Sequence, residues 1–311
     1  MIRAMLAHVG YGLIILLGIS MITFGLLVLA PGDPAEILLQ IRHEVPQPAQ
    51  TAAFRQELGF EKPLVFRYID WLCKALTGDL GRSWQNGEPV VRELIARLPA
   101  TIELALSAFL VILVLSTGLG TIAAIGRNRI TDSFCRILSI LVMSVPGYWL
   151  GFLLIYCFAI HQGFLPVMGR GSVKHIILPA ITLGLGTAAM HGRVLRATLI
   201  DVLGRDHVRF AIAKGLKFGT IMRRHVIKNA LGSVMTLWAI SLGHLLGGSA
   251  IVESVFSWPG LGRLAVEAVL ARDIPMIQGT VLVAAVFVVT ANIIGDAVHK
   301  WLNPYLQHGA R

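Results

Sequence analysis

His244 is the ionisable side chain set in the middle of an apolar run, between Leu242-Gly243 and Leu245-Leu246. An imidazole there has two readings. It lines a pathway and touches substrate, such as a metal chelate, or it sits neutral and hydrogen-bonded to a neighbouring helix. His191, near the end of its own run, reads as structural. One histidine does not make a metal site. Cys73, Cys135 and Cys157 show neither CxxC nor zinc-type spacing, so neither a disulfide framework nor a metal cluster is expected. The phosphate loop GxxxxGK[ST] and the motifs HExxH and GxSxG are absent from the sequence. No paired carboxylates interrupt an apolar run, as ion-coupled carriers usually require. Glu103 and Asp296 stand near run ends, the latter one turn from Lys300. The expectation is a chain without catalytic residues, metal site or cofactor, drawing its energy from elsewhere.

Those residues must be positioned by membrane helices. Of the 311 residues 55% are hydrophobic and only 14% charged, well below the quarter usual in soluble domains. Apolar runs at 9–30, 101–125, 134–160, 176–190, 231–252 and 280–298 predict an all-α integral membrane protein with six spans. The first run is too long for the core of a signal peptide, although Val28-Leu29-Ala30 loosely resembles a cleavage site. Six spans put both termini on one side. With the amino terminus inside, the inner segments hold 15 Lys and Arg against four acids, and the outer segments 12 against 13. The net charge of +10 therefore reports orientation, with cytoplasmic termini, rather than binding to nucleic acid.

The inner charge concentrates in a loop at 193–229. Within it Asp206 is placed to cap a short helix and Gly215 to end it, with Val208, Ala211 and Ile212 on one face. A helix of two turns is marginal alone and too short to span a membrane, so it reads as a knob for a partner to grip. Residues 31–100 predict an external lobe, with helical pieces at 67–76 and at 90–98, the latter bringing Val90, Val91, Leu94, Ile95 and Leu98 together. Residues 253–278 predict an external re-entrant segment, with a helix carrying Leu264, Val266, Val269 and Leu270. The alternative is an interfacial helix anchored by Trp258. Gly243 and Gly247 form a small-xxx-small pair, and Gly118, Gly120, Gly184 and Gly186 suggest further close helix contacts.

Several stretches carry a family resemblance. Ala211-Ile212-Ala213-Lys214-Gly215-Leu216, followed by Arg224-His225-Val226-Ile227-Lys228-Asn229-Ala230, resembles the cytoplasmic EAA loop of ABC importer permeases, in the version of the dipeptide/oligopeptide/nickel family. Pro31-Gly32-Asp33-Pro34, Leu58-Gly59-Phe60, Gly78-Asp79-Leu80-Gly81, Phe256-Ser257-Trp258-Pro259-Gly260-Leu261-Gly262, Arg272-Asp273-Ile274-Pro275 and Asn303-Pro304 match that family in order. The resemblance implies a type I importer permease with MetI-like architecture in a bacterial inner membrane. Its segments would be the tail and first span (1–30), the lobe (31–100), a five-helix core (101–302) and a cytoplasmic tail (303–311). It further implies a second, homologous permease, an external substrate-binding protein, and two cytoplasmic ATPase subunits that carry the ATP and Mg. Asp206, Val208, Arg209, Phe210, Ala211, Ala213, Lys214, Gly215 and Leu216 would form the coupling element. Glu253, Phe256, Trp258, Pro259, Gly260 and Gly262 would form an external gate. The chain departs from the general pattern in having Arg209-Phe210-Ala211 where Glu-Ala-Ala stands. The short link from Gly163 to His175 resembles the nickel branch, implying nickel or a metal–chelator complex as cargo, with peptide as the alternative. A self-sufficient ion-coupled carrier is the rival from another class.

Overall fold

The computed structural model describes residues 2–41, 48–57, 59–127, 129–247 and 249–302. Leu58 and the Asn303-Pro304 motif, with the tail that carries it, lie outside the described residues. All regular elements are helical, and the chain divides into two compact units, Met1–Thr101 with Pro259–Phe287 and Ile102–Trp258 with Val288–Arg311.

The first unit begins with α1 (Ile2–Leu29), apolar on every side. Pro31 and Gly32 end it, Gly32 at φ 112°. Asp33 then accepts the Ala35 N–H at 3.0 Å and so caps α2 (Pro34–Ile41), with Pro34 as its first helical residue. Next come α3 (Pro48–Glu57) and α4 (Leu64–Leu76). The latter starts one turn earlier than the sequence predicts, directly after Pro63, and packs Tyr68 and Trp71 against Phe24 of α1. The Tyr68 hydroxyl also meets Ser20 Oγ at 2.8 Å.

The helix expected at 90–98 does not end there. It is the start of α5 (Val90–Ile125), 36 residues that run through Pro99. At about 1.5 Å per residue this helix is far longer than a bilayer core is thick. Val90 and Leu94 are buried, whereas Ile95 is exposed. They share a core with Leu80, Leu261, Leu264, Ala268 and Met276, the latter residues from α13 (Leu261–Leu270) and α14 (Ile274–Leu302). The predicted helix after the Trp-Pro-Gly turn is therefore present, but its buried face is Leu261, Leu264 and Ala268, while Val269 and Leu270 are exposed.

Two of the motifs meet in this unit. Asp273 is buried and accepts hydrogen bonds from Ser83 Oγ at 2.5 Å and from the Trp84 N–H at 3.1 Å. Its other oxygen accepts the Met276 N–H at 3.2 Å, capping α14. The loop that follows the Gly78-Asp79-Leu80-Gly81 turn is thereby held to the Arg272-Asp273-Ile274-Pro275 corner, where Arg272 takes φ 55°.

The second unit contains the rest of α5, then α6 (Ile130–Ser144) and α7 (Gly147–Leu154), the last continuing as a π-helical turn Ile155–His161. After α8 (Val173–Leu203) come α9 (Asp206–Ala213), α10 (Phe218–Ile221) with a π-helical turn Met222–Ile227, α11 (Lys228–Gly247) and α12 (Ala250–Val255). Among the described residues four helices are long and apolar enough to cross a membrane, and the total reaches six if each of two bent pairs is one span. The third predicted span is one of these pairs: α6 and α7 meet at 106°. Pro146 explains the break, since it lacks an N–H and pushes Val145 into extended conformation, ψ 127°.

Helices in this unit approach closely where side chains are smallest. A Cβ on Gly120 would lie 2.8 Å from the Gly192 carbonyl oxygen, and one on Gly184 would lie 2.7 Å from that of Ala108. Gly243 and Gly247 likewise face Asn292 and Val288 of α14. Gly118 and Gly186 meet no such neighbour and do not join these contacts. Asp132 of α6, 2% exposed, receives two hydrogen bonds from Arg196 of α8, at 2.6 and 2.7 Å. This bidentate pair fixes the register of α6 on α8.

Candidate functional site

The basic loop after α8 is an ordered, docked element. Val208 and Ala211 of α9 are buried in a cluster with Leu199 and Val202 of α8 and with Ile221, Met222 and Val226 beyond the loop. These two residues therefore attach the helix to its own chain, which corrects their grouping with Ile212 as a partner-facing surface. Ile212 points the other way and is 56% exposed, with Phe210 at 61%, Phe218 at 54% and Leu216 at 42%. Lys214 Nζ sits 4.5 Å from the centre of the Phe210 ring, within cation–π range. Arg205, Asp206, His207, Arg209 and Ala213 are exposed around this apolar patch.

The helix ends as the sequence predicts and begins differently. Gly215 takes φ 75°, its N–H bonding the Ile212 carbonyl at 2.9 Å, while the Leu216 N–H reaches the Ala211 carbonyl at 3.3 Å. That pair of bonds is a Schellman motif, which places a left-handed residue after the helix. Asp206, by contrast, is not the capping residue. Arg205 holds that backbone position without a side-chain cap, and Asp206 is the first helical residue, its carboxylate fully exposed and 4.0 Å from Arg209. A carboxylate in the first turn still complements the positive end of the helix dipole.

The residues expected at an external gate are mostly interior. Glu253, Phe256 and Trp258 are 0%, 1% and 1% exposed. Trp258 is therefore no lipid-facing anchor for an interfacial helix. Glu253 accepts a hydrogen bond from Ser249 Oγ at 2.7 Å, and its carbonyl accepts the Trp258 N–H at 2.8 Å. Ser257 takes φ 49° at the turn between them. The link before α8 closes over this turn: the Gly169 N–H bonds the Phe256 carbonyl at 2.8 Å, and Arg170, paired with Glu103 at 2.6 Å, lies 6.0 Å from the Trp258 ring. In the first unit Pro259 and Gly260 lead into α13, where Gly262 occupies the first turn, and the Leu261 N–H bonds Thr101 Oγ1 at 2.7 Å.

His191 sits as the structural imidazole that the sequence suggests, and His244 is not the buried, helix-bonded one of its two readings. His244 is exposed on α11, whereas His191 is buried, its Nε2 3.3 Å from Ser241 Oγ. His175 is engaged locally: its Nδ1 accepts the Ser172 N–H at 3.1 Å in a capping box at the start of α8. No group of three His, Cys, Asp or Glu side chains suited to hold a metal ion occurs among the described residues. The Asp132–Arg196 pair and the Asp273 hub were not singled out from sequence. A lone acid within a basic inner segment was the available signal for the first.

A family model described as "Binding-protein-dependent transport system inner membrane component" matches residues 116–308. Its amino-terminal companion matches residues 1–105. The chain belongs to this family. The permease is 36% identical over 291 residues to the glutathione transport system permease protein GsiC of Escherichia coli, covering 93% of this chain and 94% of that protein. It is 34% identical to the di/tripeptide transport system permease protein DppB of Pseudomonas aeruginosa, covering 94% of each. Among solved structures, the inward-facing MetNI methionine ABC transporter superposes with a TM-score of 0.56 at 20% identity, over 67% of this chain and 95% of that one. An amino acid ABC transporter gives 0.53 at 17%. These structures establish the MetI-like fold. The permease is thus a transport subunit of an ABC importer of the dipeptide/oligopeptide family, not an enzyme, and its family works with an ATPase and a substrate-binding protein.

Proposed function

We propose that this permease forms half of the path of an importer for short peptides, glutathione among them. The observation that carries the reading is the near full-length likeness to permeases named for glutathione and for di- and tripeptides. The metal-chelate alternative rested on the short link before α8. That link is now seen folded over the Trp258 turn, with its imidazole used as a helix cap. In this reading a second, homologous permease completes the path, and two ATPase subunits bind the ATP and Mg. Both termini and α9 face the cytoplasm. The apolar patch of Phe210, Ile212, Leu216 and Phe218 seats in an ATPase groove, as an amphipathic helix does. Glu253, Phe256, Trp258, Pro259, Gly260 and Gly262 stiffen the external gate, and His244, exposed on α11, lines the path.

Reconstitution with the partner permease, ATPases and binding protein tests this. ATP-dependent uptake of labelled glutathione or dialanine, with nickel failing to accumulate, is the expected result. Accumulation of nickel without peptide overturns it. Uptake driven by a proton or sodium gradient without ATP would restore the ion-coupled carrier.

A further inference from the structure

The first unit contains a cleft between α1, α4 and the start of α14, made of two overlapping cavities of about 460 and 490 Å³. Both are walled by Phe24, Phe60 and Arg67 and floored by Ile274 and Gln278. This volume suits a small molecule of a few residues.

The cations in its walls are not equivalent. Arg55 is paired with Asp33 at 2.9 Å and Lys62 with Asp70 at 3.0 Å. Arg67, like the more exposed Lys74 of the larger cavity, has no carboxylate partner among the described residues. Its guanidinium lies 4.7 Å from the Phe60 ring centre and 6.0 Å from that of Phe24. Burial lowers its pKa, with no carboxylate to raise it again. A guanidinium close to two aromatic rings, partly stripped of water and without a carboxylate partner among the described residues, suits a planar anion. A second observation lies one turn along the same helix. Trp71, which lines the larger cavity, has a buried indole N–H without an acceptor among the described residues. An unpaired buried donor is uncommon. Acids share the walls as well, Glu61 in one cavity and Asp79 in the other. Their charge opposes a phosphate dianion and suits a ligand that carries an amine beside its carboxylate.

We propose that this cleft binds the carboxylate end of a short zwitterionic peptide on the external lobe, with Arg67 as its anchor. The assignment deepens the peptide-importer reading and rests on it. Arg67 grips the terminal carboxylate with two parallel N–H bonds, and the aromatic walls exclude water from that contact. The protonated amine finds Glu61 or Asp79. A site here holds peptide on the external lobe.

The experiment uses the complete permease–ATPase complex in nanodiscs without binding protein, titrated calorimetrically with dialanine and with its carboxy-terminal amide. Dialanine should bind at least tenfold more tightly than the amide, and Arg67→Ala should weaken dialanine tenfold while leaving the amide unchanged. Arg67→Lys should recover part of the loss. Equal binding of acid and amide by the unaltered protein overturns the site even if the Arg67 variants misfold. So does an Arg67→Ala effect that disappears when phosphatidylethanolamine is replaced by phosphatidylglycerol, which would make a lipid headgroup the occupant. Uptake in proteoliposomes separates the two levels of inference. Peptide uptake with unaltered dialanine binding in Arg67→Ala removes the site alone, whereas no peptide uptake by any form removes the peptide reading.

Discussion

Asp132 directs both carboxylate oxygens at Arg196 while only 2% of its surface meets solvent. Arg196 keeps 22% of its side chain in solvent, and Arg136 stands 3.8 Å from the same carboxylate. Truncating Asp132 therefore costs less than the ~3–5 kcal/mol of a fully buried pair, whereas replacing both partners by apolar groups is close to neutral. Asp132→Asn should still lower the thermal midpoint of the purified permease, and Asp132→Leu with Arg196→Met should recover most of it. An unchanged midpoint in the single variant would show that the pair holds nothing. Gly215 makes a different demand. Its φ of 75° costs an ordinary residue about 1–2 kcal/mol, more for a β-branched one, and a Cβ there would touch nothing. The penalty of Gly215→Val is consequently backbone strain at the end of α9. We expect ATP hydrolysis to persist while the peptide moved per ATP falls, with Gly215→Asn much closer to normal because Asn tolerates the left-handed region. Val and Asn behaving alike would sink the strain argument.

At the scale of elements, α9 has two faces with separate duties, and substitutions should divide accordingly. Val208→Asp puts a carboxylate into the apolar cluster with Leu199, Met222 and Val226, so it should reduce folded yield and midpoint together. Phe210→Ala removes an exposed ring and should leave the midpoint unchanged while lowering transport about tenfold, the usual effect of truncating an interface anchor. Normal transport by Phe210→Ala would remove α9 as the grip. Legibility in the sequence followed the range of the interactions. Gly215 was readable because a left-handed cap is a local requirement, and the stop after α1 because Pro and Gly act on their own backbone. The start of α9 was misplaced by one position because Asp is favoured both at the cap and within the first turn. The buried face of α9 was not readable, since Phe210 and Val208 are both apolar and only tertiary packing separates them. The same applies to Ile95, which matches the period of its neighbours yet faces away from Leu80 and Met276. Asp273 and Ser83 lie 190 residues apart, and no pattern along the chain joins them.

For the whole molecule, the apolar runs predict where the chain is membrane-bound but not how straight it is. The run at 134–160 reads as one span, and it folds into two helices at 106° because Pro146 denies the backbone a continuous ladder. The proposed orientation rests on charge, since the 193–229 loop carries the excess of Lys and Arg that favours the cytoplasmic side. That argument assigns opposite sides to α4 and α9, and both present exposed positions for labelling. In a background with Cys73, Cys135 and Cys157 replaced by serine, Thr77→Cys should react with a membrane-impermeant maleimide in intact spheroplasts. Lys214→Cys should react only in inverted vesicles. Addition of the ATPase subunits should then protect Lys214→Cys, which borders the Phe210 and Ile212 patch, without affecting Thr77→Cys. Labelling of both from one side would overturn the topology and, with it, the assignment of α9 to an ATPase. Reversed sidedness would place the Arg67 cleft in the cytoplasm, where it could not serve an incoming peptide. The proposed grip of α9 on an ATPase and the external position of the Arg67 cleft thus stand or fall together on one measurement of sidedness.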